Sequence, residues 1–174
     1  AAKWFRYLGI TPAEDQIFLT AGAQNALSVA MMSLFRAGDK IAVDEFTYTN
    51  FKGLANFLHI QLVPVDADNF GMKPEALLQT CKNAEIKGIY LMPSCSNPTG
   101  IFMPLQRREK LAAIVWQFHL LIIEDDIYSF LDSSHTQSFF SILPEQTIHI
   151  CSLSKSLCAG LRVAFLTFPE KYRE

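Results

Sequence analysis

No stretch of this chain is apolar for long enough to cross a membrane as a helix, which needs about 18 consecutive residues. The opening Ala1-Ala2-Lys3-Trp4-Phe5-Arg6 also lacks the layout of a secretory signal, so a cytoplasmic protein with no membrane partner is expected. Charge is scarce and nearly balanced. The formal net charge of −2, from 15 basic and 17 acidic residues, gives no electrostatic case for nucleic-acid binding by this segment itself. Only 8 Gly and 8 Pro occur in 174 residues, with no repeats, charge blocks or low-complexity tracts, which excludes the fibrous and disordered classes. The four cysteines, Cys81, Cys95, Cys151 and Cys158, form no C-x-x-C pair. Neither a zinc knuckle nor a redox dithiol fits that spacing, and the thiols are expected to be reduced and mostly buried. His59, His119, His135 and His149 lack metal-ligand spacing and are expected at strand edges or in loops, with no metal site.

What is present is apolar residue in a regular arrangement. Half of the residues are hydrophobic, enough to bury one domain's core. Short apolar runs predict strands over Gln16–Thr20, Lys40–Asp44, Ile60–Val65, Gly88–Met92, Leu120–Glu124, Ile148–Ser152 and Val163–Thr167. Amphipathic spacing predicts helices over Ala23–Arg36, Asn50–Leu58, Pro74–Ala84 and Pro104–Phe118. In the last of these, Pro104 opens the first turn, and Leu111, Ile114, Val115 and Phe118 share a face. Asp132–Ser141, rich in Ser, His, Thr and Gln, reads as a surface loop. The alternation predicts an α/β domain whose mainly parallel sheet of about seven strands is flanked by helices. The absence of an initiating Met and the ending just after a strand suggest a piece of a longer protein.

Ligands of such sheets collect beyond the carboxyl ends of the strands, so the loops there carry the functional reading. Thr20-Ala21-Gly22-Ala23-Gln24-Asn25 combines small residues with a helix start, where free N–H groups suit an anion; a tight turn without a ligand fits the same residues. Tyr48, in Phe46-Thr47-Tyr48-Thr49-Asn50, is an aromatic that could stack on a ring or simply pack. Asn97, in Ser96-Asn97-Pro98-Thr99-Gly100, precedes proline and is held extended, in a cleft or in an ordinary turn. Glu124-Asp125-Asp126-Ile127-Tyr128 ends a buried strand with carboxylates that are costly to leave unpaired. A cationic ligand or metal, or a helix cap, would answer that cost.

Lys155, in Cys151-Ser152-Leu153-Ser154-Lys155-Ser156 and followed by Gly160-Leu161-Arg162, carries the most chemistry. Its amine can meet a carbonyl while neighbouring hydroxyls and Arg162 hold a phosphate, a combination that suits a Schiff base to pyridoxal phosphate. Ser152-x-x-Lys155 also matches the nucleophile motif of penicillin-binding enzymes, but the partner motifs S-D-N and K-T-G are missing.

In order along the chain, the phosphate turn, the aromatic, Asn97-Pro98-Thr99-Gly100, Asp125-x-x-Tyr128, Ser152-x-Ser154-Lys155 and Gly160-Leu161-Arg162 resemble the large domain of fold-type I pyridoxal phosphate enzymes, the class I/II aminotransferases. Within them the chain is most similar to the aminotransferase-like domain of MocR-type regulators of the GntR family. The resemblance runs from Trp4 to Pro169. It implies pyridoxal 5'-phosphate as cofactor, with Lys155 forming the Schiff base and moving the substrate proton. It further implies Asp125 on the pyridine nitrogen, Asn97 and Tyr128 on the phenolic oxygen and Tyr48 on the ring face. Ala23, Gln24, Ser152, Ser154 and Arg162 would form the phosphate cup. Residues 1–174 would be the cofactor-binding large domain, lacking the small C-terminal domain and any N-terminal winged helix. The parent would be a homodimer that takes an amino acid or 2-oxo acid and meets DNA only through a domain outside this chain. A fragment of a free-standing aminotransferase is the alternative. Phe46 and Ala159 stand where the family commonly has proline.

Overall fold

The computed structural model describes residues 1–172. Its elements are α1 (Ala2–Tyr7), β1 (Ile17–Thr20), α2 (Ala23–Leu34), β2 (Lys40–Asp44), α3 (Thr49–Phe57), β3 (Gln61–Val65), β4 (Ala67–Asp68), β5 (Gly71–Met72), α4 (Pro74–Asn83), β6 (Ile86–Leu91), α5 (Leu105–Gln117), β7 (Leu121–Asp125), α6 (Phe139–Ile142), β8 (Thr147–Ser152) and β9 (Ala164–Thr167). Seven strands make one sheet in the order β1-β9-β8-β7-β6-β2-β3. The five from β8 to β3 are mutually parallel, while β9 runs antiparallel to both of its neighbours. This is the α/β architecture expected from the sequence.

Alternation along the strands splits the core into two faces. Ile41, Val43, Tyr90, Ile123, Ile148, Ile150 and Leu166 turn to one side and pack with Ala26, Leu27, Ala30 and Met31 of α2 and with Phe51 and Ala55 of α3. Ala42, Ile89, Leu91 and Ile122 turn to the other, against Leu77 of α4, Leu111, Ala112 and Val115 of α5 and Phe139 of α6. Beneath β8 and β9, Phe5 and Leu8 meet Phe140, Cys151 and Phe165. Because nearly every strand is covered on both sides, the strands read in sequence as continuous apolar runs.

The expected strands and long helices lie within about two residues of the observed ones, with β2 matching at both ends. Three features differ from expectation. The segment read as a surface loop contains the start of α6, and Phe139 and Phe140 there are buried. Their N–H groups are held by the Glu124 carboxylate at 2.8 and 2.9 Å, a partner that lies on another strand. His149 is no edge residue: it is fully buried in mid-β8 and paired with Asp126. All four cysteines are free, but only Cys151 is buried; Cys81 and Cys95 are half-buried and Cys158 is exposed.

Candidate functional site

Strand direction gathers the chemically interesting loops. Six of the seven strands end at one rim and β9 begins there, so the residues after β1, β2, β6, β7 and β8 and before β9 share one edge of the molecule. Thr20, Ala164 and Ser152 stand in register across β1, β9 and β8, and Asp125 is in register with Ile150 on the neighbouring strand. Lys155 follows β8 in an exposed turn closed by Leu157 N–H donating to the Leu153 carbonyl at 2.9 Å. It therefore occupies the same rim as Asp125, one strand away.

Asp125 is the most unusual group there. It is almost wholly buried at the end of β7, and its Oδ2 accepts a hydrogen bond of 2.8 Å from the Tyr90 hydroxyl. Its Oδ1 is equally buried, and among the described residues no donor meets it in hydrogen-bond geometry. Burial pushes the carboxyl up to about 6, a rise that the Tyr90 hydroxyl, the Ile127 N–H and the charge of His149 oppose and that Asp126 reinforces. A buried carboxylate oxygen without a donor is costly, and a ligand N–H, above all a cationic one, would repay that cost.

A second feature suits an anion. Gly22 precedes α2 with φ +91°, and a Cβ placed on it would come within 2.7 Å of Arg162 Nη2. The guanidinium thus lies against a glycine that alone leaves it room. The opening N–H groups of α2, at Ala23 and Gln24, have no carbonyl within the helix to bond. Among the described residues, Ser154 Oγ and Gln24 Oε1 are buried without hydrogen-bond partners. The Ser152 hydroxyl, by contrast, donates to the Val163 carbonyl at 3.2 Å and accepts from Ser154 N–H at 3.1 Å, so it shapes the turn. It would donate to a ligand only by giving up the bond to Val163.

Tyr48 caps α3, packs half-buried against the same core face as Ala23 and Tyr128, and accepts a hydrogen bond from Asn50 Nδ2. Asn97 is half-buried in a turn closed by Gly100 N–H on the Ser96 carbonyl, with a cis peptide to Pro98. Among the described residues, no side-chain hydrogen bond engages Lys155, Asn97 or Tyr128. Neither Asp125 nor Asp126 caps a helix.

The sequence did not reveal the support behind Asp125. On the opposite face of β7, buried Glu124 lies 3.9 Å from Arg108 Nη1, and the guanidinium donates to the carbonyls of Met103 (Nε), Gln137 (Nη1) and Pro93 (Nη2). Burial raises Glu124, whereas for Asp126 the bond to His149 and its charge, with Ser94 and Arg108, together overcome burial and lower the carboxyl. His149 rises in turn, despite burial, through its bond to Asp126 and the charge of Glu124. Consecutive residues in extended chain alternate faces, so Glu124 on β7 and Asp126 just past its end anchor the strand end while Asp125 points the other way. Among the described residues no group of three or more His, Cys, Asp or Glu is placed to hold a metal ion.

Comparison with known proteins gives the family. The description "Aminotransferase class I and II" matches residues 1–174. The chain belongs to the class I and II aminotransferase family. A curated relative, an uncharacterized HTH-type transcriptional regulator YdeF of Bacillus subtilis, is 41% identical over the whole chain, which spans 38% of that regulator. Among solved structures, an archaeal alanine:glyoxylate aminotransferase superposes with a TM-score of 0.93 at 25% identity, over 99% of this chain and 45% of its own. LysN, an alpha-aminoadipate aminotransferase of Thermus thermophilus solved with N-(5'-phosphopyridoxyl)-L-leucine, gives 0.88 at 27% identity, over 98% and 45%. This chain spans under half the length of each of these relatives.

Proposed function

We propose that this chain is the pyridoxal phosphate-binding, aminotransferase-like domain of a MocR-type GntR-family regulator. The observation that carries the cofactor reading is the unpartnered, buried Oδ1 of Asp125 at the rim that also holds the Gly22–Arg162 notch. The residues present fit the group: a carboxylate oxygen short of a donor suits a pyridine N–H, and an arginine beside a helix start suits a phosphate.

When bound, the cofactor supplies an electron sink for the α-carbon of an amino acid. Asp125 Oδ1 would accept the ring N–H, keeping the proton on the nitrogen. Arg162, the N–H groups of Ala23 and Gln24 and the Ser154 hydroxyl would bind the phosphate, with Ser152 holding the turn that presents Ser154 and Lys155. Tyr48 would cover the ring face, and Asn97 and Tyr128 would donate to the phenolic oxygen. Lys155 Nζ would hold the cofactor covalently and, once the substrate amine has displaced it, would carry the proton at the substrate α-carbon. In the cytoplasm, an amino acid or 2-oxo acid would be the sensed ligand of a homodimer, with DNA contacted by a domain outside this chain.

The regulator reading rests on the 41% match along the full chain to an HTH-type regulator, against 32% for a curated aromatic amino acid aminotransferase of Dictyostelium discoideum and 25% and 27% for the two solved aminotransferases. A free-standing aminotransferase is the second reading, favoured by the closeness of those superpositions. Full-length protein mixed with pyridoxal phosphate and reduced with borohydride should carry the cofactor on Lys155 by peptide mapping. Label on another lysine would overturn the site. Amino-acid-dependent release of 2-oxo acids over many turnovers, without amino-acid-dependent DNA binding, would transfer the assignment to the enzyme.

A further inference from the structure

We propose that Tyr90 is a positioning residue for the cofactor, fixing which oxygen of Asp125 faces the ring nitrogen and keeping that carboxylate ionised. The inference rests on the cofactor reading of Asp125. Tyr90 lies on β6, one strand from Asp125, and is fully buried, so its hydroxyl cannot turn to water for a partner. That hydroxyl donates to Asp125 Oδ2, which leaves Oδ1 as the unengaged oxygen. The Tyr90 ring is itself immobilised by stacking on Phe51, at 3.7 Å between centroids and 8° between planes.

Phe51 lies one turn into α3, the helix that Tyr48 caps. One rigid path, Tyr48–α3–Phe51–Tyr90–Asp125, therefore ties the aromatic assigned to the ring face to the carboxylate assigned to the ring nitrogen. A carboxylate left without this tether could rotate and offer either oxygen. It would also lose the largest contribution that opposes its burial, since the Tyr90 bond lowers Asp125 where desolvation raises it. The other groups bearing on the pair are Asp44 and Tyr48 on the Tyr90 side, and Asp126, His149 and the Ile127 N–H on the Asp125 side. Of these only the Ile127 N–H is a donor to the carboxylate, and it already acts with the Tyr90 hydroxyl in place. Tyr90 stays protonated throughout, because burial and the Asp125 charge both push it up.

The test is Tyr90→Phe in the full-length protein, a change that keeps the ring and its stack on Phe51. Pyridoxal phosphate affinity is measured across pH 5 to 9 in wild type, Tyr90→Phe, Asp125→Ala and the double variant, with borohydride labelling of Lys155 alongside. The expected result for Tyr90→Phe is about tenfold weaker binding, the size of one lost hydrogen bond to a charged group. The acid limb of its affinity profile should move to higher pH, because Asp125 ionises later. In the Asp125→Ala background the same substitution should change neither quantity, since there is no carboxylate left to position. An unmoved acid limb in labelled Tyr90→Phe protein, or an equal loss in the Asp125→Ala background, overturns the assignment of Tyr90 alone. Wild type that takes no label on Lys155 overturns the cofactor reading and this inference with it.

Discussion

Asp125→Asn should make the cofactor-free protein more stable while weakening its hold on the cofactor. The asparagine keeps the shape of the aspartate and can still accept the Tyr90 hydroxyl, but it removes a buried charge. Burial pushes the Asp125 carboxyl from 3.8 to about 6, and a rise of about two units corresponds to about 3 kcal/mol. A carboxyl raised by folding favours the fold while protonated. Its contribution is therefore fully present below pH 4 and lost as pH rises through 6. The stability gain of Asp125→Asn should accordingly be near zero at pH 3.5, grow between pH 4 and 6, and reach at most about 3 kcal/mol at pH 7.5. Urea denaturation of the full-length apoprotein at those pH values measures it. Asp44, also raised by burial to about 6, gives wild type the same trend, so only the difference between wild type and variant isolates Asp125. Added pyridoxal phosphate should stabilise wild type at pH 7.5 and stabilise the variant much less. Equal stability of the two apoproteins at pH 7.5 would refute the claim that this carboxylate is ionised at a cost and waits for a cationic partner.

Gly22→Ala should weaken pyridoxal phosphate binding at least about tenfold, read by titration, because the new methyl displaces the guanidinium that lies 2.7 Å from it. The φ of +91° should add about 1–2 kcal/mol of backbone strain, visible in thermal denaturation. Arg108→Met should cost about 3–5 kcal/mol by urea denaturation, since it strips a fully buried Glu124 of its cation and leaves three carbonyls without their donor. Lys155→Ala should abolish covalent cofactor retention while changing apoprotein stability by no more than about 0.5 kcal/mol, because the side chain is exposed and makes no structural bond.

The strands and long helices were legible because burial on two faces writes itself into sequence as apolar runs, and the intervening helices carry one apolar stripe each. What failed to show was short or held from afar. β4 and β5 are two residues each, too brief to display a period. α6 has four residues, and its start is fixed by Glu124, fifteen positions earlier. His149 looked ordinary because its partner, Asp126, is 23 residues away. The candidate site divides in the same way. Lys155, Asp125, Asn97 and Arg162 stood out because they follow or precede strands at a common rim, which topology alone predicts. Tyr90 did not, since an aromatic in a buried strand reads as packing, and its bond to Asp125 spans 35 residues. Which oxygen of Asp125 remains free, and which serine hydroxyl is already engaged, are matters of angle and distance that residue order does not encode.

The reversal of direction at β9 has an evolutionary consequence. Every other step between neighbouring parallel strands travels through a helix, so a residue gained or lost there can be absorbed by a turn of that helix without disturbing the rim. Residues 153–163 have no such slack, because they leave β8 and re-enter the sheet at the same edge, with Leu153 N–H bonded to the Val163 carbonyl at their base. Lys155 and Arg162 ride on that single excursion, and their separation is counted out residue by residue. Lineages of this domain should therefore vary freely in length around α4 or α6, yet hold the spacing of this amine and this guanidinium constant for as long as both serve one bound molecule.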